Sequence, residues 1–339
     1  MNLEDARFAG DPLADALADA VHADPGVRRE LSRALREGSQ TASGPVHAFV
    51  EHLERVSADA DPDLLRAGAR ATFTTPQAVH VFDVGAGALI SSYRPPRSAT
   101  ILTGTGRLVD DTHHRLTETA RWLTAASLPG GLERGAEGWR ATAHVRLGHA
   151  LVRRSVPGGT GINQFDEVRT WLDFTVVAPR SAHRLGFGLT DAEYAQFLAH
   201  WRVLGELLGI SPGFIAHVVD RPSALALLQR IDALTGPPNA DSRALTAAGL
   251  DALANGLTDL TRIPHRVGLT LARVVARRLQ GDLADALGVP PAGGWEHVVP
   301  VVAAVNRTRR ELLRRSPSRW EAMVERNIAA NRAFLRESA

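Results

Sequence analysis

The 339-residue sequence contains no cysteine and no lysine, so all 39 basic side chains are arginine. The first absence excludes a thiol nucleophile, a disulfide, an iron–sulfur cluster, a cysteine zinc site and a thiolate-ligated haem. The second excludes Schiff-base chemistry, a pyridoxal phosphate anchor and a phosphate-loop lysine. Tyrosine is nearly absent too, with Tyr93 and Tyr194 the two copies. Little therefore titrates near pH 9, and arginine keeps its proton above about pH 12. This explains how 39 basic and 37 acidic residues give a pI of about 9.8; the value is a composition effect and does not signal a basic surface. Long apolar runs are also missing: no stretch approaches the roughly 18 residues of a membrane span. The first residues, MNLEDARFAGDPLADALADAV, lack a basic segment followed by an apolar one. No export signal is expected, and with the missing cysteine this predicts a cytoplasmic protein.

What remains for chemistry is histidine, with 13 copies, together with aspartate, glutamate, arginine, serine and threonine. Hydrophobic content of 44% against 22% charged is ordinary for a globular chain. Apolar residues recur at helical spacing almost throughout. That spacing predicts helices over 12–22, 26–37, 45–57, 62–73, 82–92, 112–127, 138–154, 164–178, 190–209, 222–235, 243–256, 263–287, 297–314 and 318–337. Asp111 with Thr112, and Thr190 with Asp191, stand where N-caps belong. Pro129-Gly130-Gly131, Pro157-Gly158-Gly159, Pro237-Pro238 and the stretch from Pro290 to Gly294 mark loops. Val176-Val177 and the valines from Val298 to Val305 are the β-branched clusters. The expected fold is all-α, a single large helical domain. Residues 1–69 would form a helical extension packed on a core of 70–290, which 291–339 completes.

Several tempting motifs carry nothing. Gly85-Ala86-Gly87, Gly104-Thr105-Gly106 and Gly158-Gly159-Thr160-Gly161 lack the spacing and strand–turn–helix setting of a dinucleotide site. The sequence has no HExxH, G-x-S-x-G or EF-hand loop. His113 and His114 are chain neighbours, pointing about 100° apart on a helix, and make a poor chelate.

Two helices are more informative. In the first, Arg115, Glu118, Thr119 and Trp122 share one face, an unusual mixture for a core stripe. On spacing alone it reads as a solvated Arg115–Glu118 pair worth about a few tenths of a kcal/mol. In the second, His149 lies mid-helix near Val145, Leu151 and Val152, beside Gly148, with Arg146 and Arg153 on its face. A histidine in such a place is ordinarily a hydrogen-bonded core residue. The same surroundings also suit an axial haem ligand, with glycine leaving room for a macrocycle and guanidiniums pairing with propionates.

The ordered set of motifs resembles one family. Arg115, Leu116 and Thr119 form R-L-x-x-T, and Val145 to Arg153 read V-R-L-G-H-A-L-V-R. Gly161 to Asp166 (G-I-N-Q-F-D) and Trp201 to Ile210 (W-R-V-L-G-E-L-L-G-I) follow. Upstream stand Ala88 to Pro96 (A-L-I-S-S-Y-R-P-P) and Thr103 to Leu108 (T-G-T-G-R-L). Together, over roughly residues 70 to 290, they resemble the latex-clearing-protein/MpaB-type oxygenases. The resemblance implies helices packed around a haem pocket, globin-like in that sense. It also implies haem b as cofactor, iron bound by His149, and O2 as co-substrate. Arg115, Glu118 and Thr119 then match the catalytic, distal positions, and Arg146 and Arg153 are candidates for the propionates. Glu118 stands where rubber-cleaving members carry lysine, inverting the local charge. With no export signal expected, this points away from polymeric rubber and toward a small lipophilic, isoprenoid-like or secondary-metabolite substrate, oxidised or cleaved at a double bond. Two other readings compete: a haem-binding or gas-sensing protein without turnover, and a helical nucleic-acid-binding regulator. The interspersed acidic residues oppose the second, so no nucleic-acid partner is expected. The state expected is monomer or homodimer.

Overall fold

The computed structural model describes residues 2–104, 112–156 and 161–337, and among them every regular element is a helix. In chain order they are α1 (Pro12–Ala23), α2 (Val27–Glu37), α3 (Gly44–Asp59) and α4 (Pro62–Thr72), then a π-helical run, Val81–Leu89. Next come α5 (Pro96–Gly104), α6 (Thr112–Ser127), α7 (Glu137–Ser155) and α8 (Gln164–Leu172), a second π-helical turn, Asp173–Val177, and α9 (Ala178–Arg184). The remainder comprises α10 (Asp191–Leu207), α11 (Arg221–Leu234), α12 (Ala240–Thr261), α13 (His265–Gln280), α14 (Val299–Arg314) and α15 (Pro317–Glu337). Shorter helical turns lie between them. The all-α expectation holds, and both β-branched valine clusters are helical.

Local chemistry explains most boundaries. Asp11 caps α1 ahead of Pro12, and Thr190 forms a reciprocal capping box with Glu193 at the start of α10, each satisfying amides that lack an intrahelical partner. Helix α13 ends at Gly281, whose φ of +57° favours glycine; the expected helix to 287 is therefore interrupted. Helix α5 lies where no helix is predicted, and Pro96 sits in its first turn, where a missing amide costs nothing. The run expected to stop at 178 continues to Arg184 through Pro179, in the first turn after the π-helical segment. The register change there removes the demand for a proline N–H. The Asp111 cap, the Pro157-Gly158-Gly159 loop and residues 105–108 of the T-G-T-G-R-L motif lie outside the described residues.

The N-terminal helices are built into the main core. Leu17 and Phe49 join Trp139, Trp171 and Leu204 in one buried cluster, each large side chain contributing roughly 2 kcal/mol of apolar burial. A second cluster joins Ile90, Leu245, Ala276 and Leu279 around α12, α13 and the first π-helical run. Ion pairs bolt α1 to α7, among them those of Arg146 and Arg153. Arg146 donates from Nε and Nη2 to both oxygens of Asp11, at 2.6 and 2.9 Å, with both side chains 3% exposed. Arg153 donates to Asp15 at 2.8 Å. Arg146 also lies over the Phe49 ring, 5.1 Å from its centroid. The G-I-N-Q-F-D stretch completes this junction: Asn163 Nδ2 donates to the Arg7 carbonyl at 2.7 Å, and Gln164 Nε2 to that of Gly209 at 2.9 Å.

Removing one partner of a buried pair strands the other charge. Asp11→Ala is expected to cost about 3–5 kcal/mol, seen as a fall in denaturant midpoint at unchanged slope. A loss within experimental error would show that water reaches Arg146.

Candidate functional site

Helices α6 and α7 form an antiparallel hairpin whose register is fixed at its closed end. A Cβ on Gly138 would lie 2.5 Å from the Ala125 carbonyl carbon and 2.6 Å from Ala126 Cα, so the backbones meet where a side chain is missing. One turn on, Trp122 Nε1 donates to Thr142 Oγ1 at 3.0 Å. Gly138, Thr142, Val145 and His149 make one stripe of α7, and Ala126, Trp122, Thr119 and Arg115 the matching stripe of α6. Carried forward, that register sets Thr119 opposite Val145 and Arg115 opposite His149.

At this end the packing is open. A Cβ on Gly148 would meet nothing within 4 Å, and His149 is 34% exposed. Its Nδ1 is buried without a hydrogen bond and lies 3.5 Å from Oε1 of Glu167, a carboxylate on α8 only 3% exposed. Glu167 Oε2 likewise has no partner. Arg153 stands 3.7 Å from the same Oε1. Glu167 is thus placed to take an Nδ1–H, fix the tautomer and leave Nε2 as a basic lone pair for a metal.

The sequence-derived residues separate into two groups. Arg115 and Thr119 fall on the α6 stripe and His149 on the α7 stripe. Arg115 lies within electrostatic reach of Tyr93, whose phenol burial pushes up while the guanidinium pulls it down. Glu118 is on the margin, its side chain 65% exposed and 3.4 Å from His114 Nε2; this contact stands in place of the pair expected with Arg115. Arg146 and Arg153 are turned to Asp11 and Asp15, so their charges are already neutralised by α1. Acidic residues of the N-terminal helix thus reach both arginines, while Arg146 Nη1 and Arg153 Nη2 are buried without a hydrogen bond. Arg153 also stands beside Glu167.

Glu167 was not identified from the sequence. It follows Asp166 at the start of an amphipathic helix, where acidic residues ordinarily stabilise the dipole, and nothing local marks it as buried. Among the described residues, no group of three or more histidine and carboxylate side chains could hold a bare metal ion. A metal at His149 would need most of its ligands from elsewhere, as a macrocycle supplies them. The residues present fit such a group: an imidazole with a buried carboxylate 3.5 Å from its Nδ1 and an unfilled space beside Gly148. No helix among the described residues is long and apolar enough to cross a membrane.

Residues 77–310 match the catalytic domain of the ER-bound oxygenase mpaB/B'/rubber oxygenase family, a span that takes in α6, α7 and α8. A solved structure of latex clearing protein LCP in the closed state has the same fold, with a TM-score of 0.69. The likeness covers 97% of this chain and 91% of that one, at 20% identity. No curated protein matches the chain. With the matched segment spanning well over half of its length, the chain belongs to the mpaB/B'/rubber oxygenase catalytic-domain family.

Proposed function

We propose that this protein is a haem b-dependent oxygenase acting on a small lipophilic substrate rather than on polymeric rubber. What supports the reading is His149, backed by the buried Glu167, on a helix whose stripe is in register with the Arg115 and Thr119 stripe of α6. Bound there, haem would supply activation of O2 for oxidation or double-bond cleavage.

The protein's own contribution is positional and electrostatic. Glu167 is placed to orient the imidazole by accepting from Nδ1. Arg115 supplies a fixed positive charge and Thr119 a hydroxyl on the opposite wall, preorganised where negative charge develops during oxygen chemistry. Glu118 is solvent-exposed and paired with His114. It is suited to exchanging protons with bulk water at the margin of the slot, and poorly suited to acting as a desolvated base. A glutamate here in place of the lysine of rubber-cleaving relatives supports a different substrate. Oxidation of a small lipophile also suits a cavity beside α6 whose lining is largely apolar.

The decisive measurement is the absorption spectrum of the purified protein. A Soret band is expected, and His149→Ala should abolish it while helical circular dichroism is retained; a Soret band unchanged in His149→Ala would overturn the ligand assignment.

A glycine comparison separates space from stability. Gly148→Leu should keep the fold yet lose haem uptake, whereas Gly138→Ala, forced against the Ala125 backbone, should lose about 1–3 kcal/mol of stability. Full haem occupancy in Gly148→Leu would show that the macrocycle lies elsewhere.

With haem retained, Arg115→Ala is expected to lower turnover by about 100-fold or more, and Glu118→Gln by much less. Substrate-dependent O2 consumption checks both; equal losses would make Glu118 part of the reacting centre.

A further inference from the structure

A cavity of about 520 Å³ lies against the neighbouring face of α6, with Thr119 at the edge shared with the His149-facing stripe. This volume falls within the roughly 300–1,000 Å³ of small-molecule sites. Its walls are largely apolar, with Leu116, Leu123, Phe174, Phe197, Trp201 and Leu253 among them. One polar pair in this lining has no role in the chemistry above. His80 ends a short helical turn, and Asp83 follows it in the first π-helical run. His80 Nδ1 lies 3.1 Å from Asp83 Oδ1, which also accepts the Val84 amide at 2.7 Å. Asp83 is buried, so the imidazole is held in one orientation.

The other ring nitrogen is unpaired. His80 Nε2 is buried without a hydrogen bond of normal geometry, although the Thr72 carbonyl lies close enough to help raise the ring's pKa as an acceptor. A polar atom left so in an apolar setting loses its hydration without full compensation, a penalty that a ligand atom would remove. Burial works against the charged ring, but the Asp83 carboxylate, by charge and hydrogen bond, outweighs it and raises the His80 pKa. This favours Nε2 as a proton donor. Asp259 also lines the cavity, but it interacts with other protein groups.

The π-helical winding that brings the pair together is built in. Its broadened turns free carbonyls from α-helical pairing, and Gln280 Nε2 donates to those of Ala86 and Gly87, both at 2.8 Å. The segment is therefore held from α13, independently of any occupant.

We infer that His80, oriented by Asp83, anchors the neutral oxygen of an otherwise apolar substrate, an alcohol or carbonyl received on Nε2 while the hydrocarbon body fills the cavity. This deepens the lipophilic-substrate reading and rests on it for the ligand's role, though the binding itself can be measured without turnover.

The test uses two probes of similar shape, 2-acetylnaphthalene and 2-ethylnaphthalene, titrated into purified full-length protein whose haem content is recorded from its Soret band. In His80→Leu the ketone-to-hydrocarbon affinity ratio should fall about tenfold, with hydrocarbon affinity changed less than twofold. Asp83→Asn, which keeps the ring but loosens its hold, should lower the same ratio several-fold and provides the measurement if His80→Leu misfolds. An unchanged ratio, equal weakening of both probes, or no binding of either to the unmodified protein would overturn the anchor. A Soret-positive preparation that fails this test sinks the anchor alone. A Soret-negative one that passes leaves the anchor standing and sinks the haem reading.

Discussion

The close approach of α6 and α7 at Gly138 is the constraint on which the site depends. Helices that meet through a missing side chain at Gly138, and leave open space at another missing side chain ten residues on, at Gly148, must be held apart by something else. That support comes from outside the hairpin. Helix α1 fixes α7 through Asp11 and Asp15, and α8 presents Glu167 beneath His149. The open end is thus bordered by elements with their own hydrophobic anchorage, and Gly148 can leave a space without the hairpin closing over it.

The arginines make this arrangement possible and also limit it. A buried guanidinium needs a carboxylate and hydrogen-bond acceptors, and its planar fork can satisfy both at once. Arg146 does so with Asp11. Arg169 forms ion pairs with Asp173 at 2.6 Å and Asp232 at 3.0 Å, and there burial raises the Asp173 pKa while the Arg169 charge opposes the shift. Such pairs specify how helices meet more than they add net stability. Their consequence for function is direct: the two arginines nearest His149 in sequence are committed to the N-terminal helices, which are part of the site's foundation although they precede the segment shared with the family.

Much of the fold was legible because apolar periodicity, caps and proline positions are local signals. The pattern around Thr190 predicts the start of α10, and the His149 and Arg115 stripes are visible from spacing. Other features could not be read that way. Pro96 and Pro179 look like breaks, yet one starts a helix and the other follows a π-helical turn whose register needs no amide at that point. Glu167 looks like an ordinary first-turn acid, and the pairing of His80 with Asp83 resembles any polar i, i+3 pair until an apolar cavity is placed beside it.

By itself the sequence determined the helical class and the chemical repertoire: without cysteine or lysine, an axial ligand must be histidine and the fixed cations must be arginine. It also determined which residues share a helical face, because that follows from the geometry of the chain. Only the tertiary structure decided which of those faces meet, which charges are neutralised and where space remains. Those outcomes depend on contacts between residues far apart in sequence, such as Asp11 with Arg146 and Glu167 with His149, and on the desolvation that makes such contacts obligatory.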